Sequence, residues 1–150
     1  MSIFHIIIIA VLTIFLLFAL FIIPLIILLK RRSQTILEKY DPASIILSYK
    51  LANCFGQESK GLIQMRGNGV LVLTKAGLHF HQYIPSREIA IPIHSMISVD
   101  QVKSHLRKTV MRPLLRVSYT NTEGQPDRCA WYVTQLDQWI SGIQSLLSGK

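Results

Sequence analysis

Between Asp100 and Glu123 the chain carries no acid, and Lys103, Arg107, Lys108, Arg112 and Arg116 place five cations within 14 residues, with His105 among them. Such a cluster acts by charge. It receives the phosphate of an anionic lipid or a nucleotide, or the carboxylates of an acidic peptide. The expected setting is a strand–loop–strand hairpin with SHLRKTVMRP at its tip, where Leu106, Val110 and Met111 interleave with the charges and allow contact with a membrane interface. An ordinary solvated hairpin has the same composition, so the surroundings of the loop decide its use.

The other residue types able to do chemistry are sparse. His79 and His81 stand at i and i+2, on one face of a strand. A metal would need a third and fourth ligand, and none is close in sequence, so an exposed polar strand face without metal is the expectation. Cys54 and Cys129 are too few for a disulfide framework and read as small buried thiols. The eight acids are scattered. Asp41, Asp100 and Asp127 fall where elements should end, positions at which Asp caps and turns are common. Ser, His and Asp occur without a nucleophile elbow. Gly67-Asn68-Gly69 precedes a strand and lacks the helix N-terminus and Lys of a phosphate loop. Trp131-Tyr132 reads as core packing. Binding without catalysis and without a cofactor is the expectation.

These residues must be positioned by short strands. Period-two alternation marks 45–55, 69–74, 77–83, 87–93, 96–103, 113–120 and 127–133, with turn residues between them. Leu47, Tyr49 and Leu51 share one face of the first strand, Ile89, Ile91 and Ile93 one face of the fourth, and Leu115, Val117 and Tyr119 point inward from the sixth. The last element is a helix, with Thr134 as N-cap and Asp137 in the first turn. Leu136, Trp139, Ile140, Ile143, Leu146 and Leu147 form its apolar stripe, and Gly149 ends it. An amphipathic helix after seven strands closes an open end of a barrel, with Trp139 as the plug. The fold class is mainly β: an N-terminal transmembrane helix, then a seven-stranded antiparallel split barrel capped by a C-terminal helix.

The remaining stretch sets location. Ile6–Leu29 carries no charge, and Thr13 and Pro24 alone interrupt its apolar run. As a helix it would reach about 36 Å, enough to cross a hydrocarbon core of about 30 Å with some tilt. Met1–His5 has no Lys or Arg, and Lys30, Arg31 and Arg32 follow the run where a signal peptide would carry small residues. An uncleaved anchor is therefore expected, with Met1 outside and the remainder cytoplasmic, since basic residues flank only the C-terminal end. Residues 1–32 form the anchor, 33–44 a short polar linker that can stay helical to about Tyr40 before Asp41-Pro42, and 45–150 one domain.

The stretch GNGVLVLTKAGLHFHQYIPSREIAIPIHSMISV, with Leu73-Thr74, Phe80, Ile91-Pro92-Ile93 and Ile97, resembles the GRAM and bacterial pleckstrin-homology-like families. Trp139 is similar to the tryptophan common in the C-terminal helix of pleckstrin-homology domains. The resemblance covers most of 45–147 and implies the pleckstrin-homology-like superfold, which hosts lipid, peptide and scaffold binding. The family's motif of Lys and Arg flanking the first hairpin loop is not well reproduced, since residues 55–68 offer only Lys60 and Arg66. Net charge is +8. A basic domain beside a membrane meets anionic headgroups first. The 16 basic residues form no long run or arginine-rich tail, which argues against nucleic acid. The expected function is a membrane-anchored binding module for anionic lipid or a membrane-associated protein. The alternative is an assembly subunit of a membrane complex acting through protein contacts alone.

Overall fold

The computed structural model describes residues 2–149; the expected outer ends of anchor and domain, Met1 and Lys150, lie outside them. Two compact units meet between Thr35 and Ile36.

One helix, α1 (Ile3–Leu37), makes the first unit and enters the second. Most of its Ile, Leu and Phe side chains from Ile3 to Leu28 are exposed, while Ile36 near its end is buried, and it is long and apolar enough to cross a membrane. The Thr13 hydroxyl donates to the Ile9 carbonyl at 2.8 Å, so the one polar side chain within the apolar run is satisfied by the helix itself. The hydroxyls of Ser33 and Thr35 do the same toward Lys30 and Arg31, at 2.8 and 3.1 Å. The helix thus continues through Leu37, into the expected linker, leaving residues 38–44 as the non-α connector. Asp41 then caps a single turn, Pro42–Ser44, its Oδ1 accepting from the Ala43 N–H at 3.1 Å.

The second unit is a seven-stranded antiparallel sheet followed by a helix. The strands are β1 (Ile45–Gln57), β2 (Gly67–Thr74), β3 (Gly77–Gln82), β4 (Arg87–Pro92), β5 (Met96–Val102), β6 (Leu114–Thr120) and β7 (Pro126–Tyr132). Their spatial order is β4-β3-β2-β1-β7-β6-β5. β4 and β5 are joined by the turn Ile93–Ser95 yet stand at opposite ends of the sheet, which is open between them. β1 serves both halves. It pairs with β2 along most of its length and, at Asn53–Gln57, with β7. Irregularities between Tyr49 and Ala52 and between Cys54 and Gly56 let it bend from one half to the other. Gly69 has a steric reason: a Cβ there would lie 2.1 Å from the His81 carbonyl oxygen on β3.

The inner face buries Leu71, Leu73, Leu78, Phe80, Ile91, Leu115, Val117 and Trp131 in one cluster. Helix α2 (Leu136–Ser148) closes it with Trp139 and Ile143, while Leu136, Ile140, Leu146 and Leu147 pack partly against it. Both cysteines are free and buried in this core, with their Sγ atoms 3.7 Å apart.

Five local expectations are corrected. The N-cap of α2 is Gln135, in a left-handed conformation (φ 55°) with no side-chain cap bond, one residue after Thr134. Leu51 is exposed and Ala52 takes its place inside, because the irregularity after Tyr49 flips the alternation. Ile97 is 58% exposed, and Met96 is buried instead, beside a register shift between Met96 and Ser98. Asp100 lies within β5 rather than at its end. The His79/His81 face is covered, since β2 and β3 are buried on both sides and His81 is only 7% exposed.

Candidate ligand-binding surface

The basic loop between β5 and β6 does not project as a free tip. His105 and Lys108 exchange backbone hydrogen bonds of 3.0 and 2.9 Å, closing a two-residue turn whose centre, Leu106 and Arg107, has positive φ (49° and 60°). Non-glycine residues hold such angles only where neighbours over-determine them. Here the neighbours are on β1. The buried His105 ring sets Nε2 3.1 Å from the Gly56 carbonyl, which can only accept, so Nε2 carries the proton. Burial pushes the His105 pKa down, against the opposing pull of that carbonyl and Glu58. Gly56 itself sits at φ 112°, and a Cβ there would come 2.9 Å from Gln64 Oε1 and 3.0 Å from Leu106 Cδ1. Beyond the turn, Val110 folds back onto a second small cluster made by Phe55, Leu114 and Ala130 on the outer face of the sheet.

The five cations therefore have different situations. Arg116 lies opposite Asp100 in the β5–β6 register and grips it with two bonds, Nε to Oδ1 at 3.0 Å and Nη2 to Oδ2 at 2.5 Å. That hydrogen-bonded pairing raises the Arg116 pKa. Lys108 is half-buried, and its Nζ donates to the Gln64 carbonyl at 2.5 Å and reaches the Phe55 carbonyl at 3.4 Å. Arg112 is exposed, but its Nη1 donates to the Tyr132 hydroxyl at 3.0 Å. Lys103 and Arg107 are exposed. Three head groups, those of Lys103, Arg107 and Arg112, are thus available at the surface. Arg116 and Lys108 are largely committed within the fold.

Lys108 ties this loop to the one between β1 and β2. There the Gln64 side chain accepts from the Gln57 N–H at 3.0 Å and donates to the Gln57 carbonyl at 2.6 Å and to the Gly61 carbonyl. At the base of the loop Ser59 binds Asp127 through both its N–H (2.9 Å) and its hydroxyl (2.6 Å). The loop so propped leaves Leu62, Ile63 and Met65 exposed, Ile63 fully, between Lys60 and Arg66. The Arg66 guanidinium lies 5.2 Å from the centroid of the Phe55 ring. Ile84, in the β3–β4 connection, is also exposed. No strand period marks this loop in the sequence. Three large apolar residues without strand period, bracketed by two cations and two glycines, were the signal available.

Asp127 is 2% exposed and accepts from Ser59, from the Tyr119 hydroxyl at 2.8 Å and from the Arg128 N–H at 2.8 Å. Burial alone would raise its pKa, but these donors outweigh it and the net shift is downward. Tyr119 in turn accepts from Gln57 Nε2 at 2.7 Å, and Gln57 Oε1 accepts from Arg87. Gln57 and Tyr119 line a cleft of about 310 Å³ that also touches β4 and the Ile93–Ser95 turn.

The Tyr40 hydroxyl lies 2.5 Å from His81 Nε2, and its ring is 5.2 Å from that of His79 and 5.8 Å from that of His81. His81 Nδ1 lies 3.6 Å from Glu88. Burial lowers the pKa of both histidines and pushes Tyr40 up to about 12. Among the described residues no three His, Cys, Asp or Glu side chains gather as a metal site would need.

Fold and surface together define a strand-rich domain of seven antiparallel strands and a closing helix, preceded by an apolar helix of membrane-crossing length. A chain in the structure of the 8S snRNP assembly intermediate is similar, with a TM-score of 0.56 and 9% identity over 72% of this chain and 85% of that one. The C-terminal domain of an unknown protein from Leishmania infantum is matched with a TM-score of 0.48 and 18% identity, over 82% of this chain and 98% of that one. At these identities the first likeness is one of fold. No family model matches the chain, and no curated protein matches it in sequence.

Proposed function

We propose that this chain is a single-pass membrane protein, with its N-terminus outside, whose pleckstrin-homology-like domain is a non-catalytic cytoplasmic binding module for anionic lipid headgroups. The observation that carries the reading is the joining of two loops by Lys108. One presents Leu62, Ile63 and Met65 between cations; the other presents Lys103, Arg107 and Arg112. Apolar side chains flanked by positive charge suit an interface where acyl chains meet acidic headgroups. Each cation near such a surface contributes about 1 kcal/mol, screened by salt. Lys30, Arg31 and Arg32 set the orientation.

The test compares the full chain in nanodiscs of phosphatidylcholine alone and of phosphatidylcholine with phosphatidylserine, followed by hydrogen exchange. Residues 60–66 and 103–112 gain protection with phosphatidylserine, and the gain disappears in high salt and in the Lys103→Gln/Arg107→Gln variant. Equal exchange in both membranes would overturn the lipid reading. Crosslinks from Ile63→Cys to one protein in native membranes, together with that equality, would establish the assembly-subunit alternative.

A further inference from the structure

Tyr40 fastens the connector between α1 and β1 to the outer face of the sheet. Leu71 and Leu73 of β2 and Leu78 and Phe80 of β3 point into the core, so the residues alternating with them point outward. Of these, Val70 and Val72 are fully buried. In register, His81 stands between Val70 and Glu88, and His79 between Val72 and Ala90. The two imidazoles thus have a covered apolar strip on one side and a carboxylate on the other. The Tyr40 ring lies against both, 5.2 Å from His79 and 5.8 Å from His81. Backbone bonds from the Lys39 and Tyr40 N–H groups to the Ile36 and Leu37 carbonyls, at 3.2 and 3.1 Å, form the turn that carries Tyr40.

The neighbours of His81 decide where its proton sits. Nδ1 lies 3.6 Å from a Glu88 carboxylate oxygen, which can only accept, so the proton of the neutral ring belongs on Nδ1. Nε2 is then an acceptor, and the Tyr40 hydroxyl, 2.5 Å away, donates to it. A proton added at Nε2 removes that acceptor and sets an N–H against the hydroxyl. It also upsets the local charge. The charged groups facing His81 are Glu88 on β4 and Lys39 in the connector, which cancel, with His79 beside them. Two imidazolium rings would leave two positive charges uncompensated beneath one aromatic ring. Burial pushes both histidines down, while Glu88 pulls both up and Lys39 and His79 push His81 down further. A ring that is harder to protonate when covered favours, once protonated, being uncovered.

We propose that Tyr40, His79 and His81 form an acid-released strap: with both imidazoles neutral the connector is held on β3, and proton uptake by the pair frees it. Uncovered imidazoles return toward about 6.5. The strap is therefore closed above that pH and opens as pH falls through the lower values of the covered rings. The connector, residues 38–44, can extend to roughly 24 Å once free, so acid lengthens the tether of the domain. The strap does not depend on what the domain binds, and it stands or falls apart from the lipid reading above.

The experiment is hydrogen exchange of the full chain in phosphatidylcholine nanodiscs between about pH 7.5 and about pH 5, a range that brackets histidine titration. Exchange is read as protection factors, so that its intrinsic pH dependence cancels. Residues 38–44 hold their protection down to about pH 6.5 and lose roughly tenfold or more by about pH 5, while β2 keeps its own. Tyr40→Phe, which keeps the ring and loses the hydroxyl, lowers the protection of 38–44 at neutral pH. The His79→Gln/His81→Gln variant, uncharged at both positions, abolishes the acid step. Glu88→Gln leaves the covered imidazolium without its counter-ion, so the acid step grows; its side chain is 56% exposed, and this variant serves if the double variant unfolds. The strap is overturned if 38–44 are equally protected at both ends of the range. Loss of β2 protection in step with 38–44, which would mean global acid unfolding, also overturns it. So does an acid step that survives unchanged in the double variant or shrinks in Glu88→Gln.

Discussion

His79, His81 and His105 are all pushed toward the neutral form by burial, and this fixes how the domain responds to acid. Their folded pKa values lie below the unfolded value of about 6.5, so the unfolded chain binds more protons once pH falls under that value. Stability is then level above pH ~6.5 and falls as pH drops through the folded values. Asp127 adds a second loss at lower pH, because its folded pKa lies below the unfolded value of about 3.9, and its contribution disappears as pH falls through the folded value. Urea unfolding of the full chain in detergent, followed by circular dichroism at several pH values, is expected to show the first decline between neutrality and pH 5. A midpoint unchanged over that range would count against the buried histidines. At the same scale, Tyr119→Phe removes a donor to Asp127 and an acceptor for Gln57, both in an enclosed network. The expected cost is about 1–3 kcal/mol in the same measurement.

At the scale of the element, the strands were legible because period-two alternation survives wherever one face is buried. β4, β6 and β7 show it cleanly: Ile89 and Ile91, Leu115 and Val117, Cys129 and Trp131 all enter the core. The misreadings fall at irregularities. One extra residue in β1 moves Leu51 out and Ala52 in, and the shift at Met96 does the same to Ile97. Alternation cannot announce a bulge, because the bulge is a fit between two strands. Helix α2 was readable from its stripe, and its Trp139 sits in the core as expected. Trp139→Ala should lower stability by about 3–5 kcal/mol, read as a fall in the denaturant midpoint, while Gln138→Ala on the opposite face stays near the parent. Equal effects of the two would show that the helix does not close the barrel.

For the whole molecule, the apolar helix and the sheet are separate units with separate reasons for existing. The proposed orientation is checked by a reporter fused after Lys150. Activity confined to the cytoplasm is expected, and reversing Lys30, Arg31 and Arg32 to Glu should reduce it or invert the topology. What the amino-acid sequence determined alone was periodic and compositional: a charge-free stretch long enough to span, seven alternating strands and an amphipathic closing helix. Those are local properties, written in each segment's own residues. The fate of the basic cluster was decided only by tertiary structure. Charge density in sequence cannot say that Arg116 faces Asp100 across a strand pair, that Lys108 is spent on the carbonyls of Phe55 and Gln64, or that Arg112 donates to the Tyr132 hydroxyl. Those partners lie 16 to 53 residues away along the chain, and only the pairing of β5 with β6, of β6 with β7 and of β7 with β1 brings them within hydrogen-bond reach.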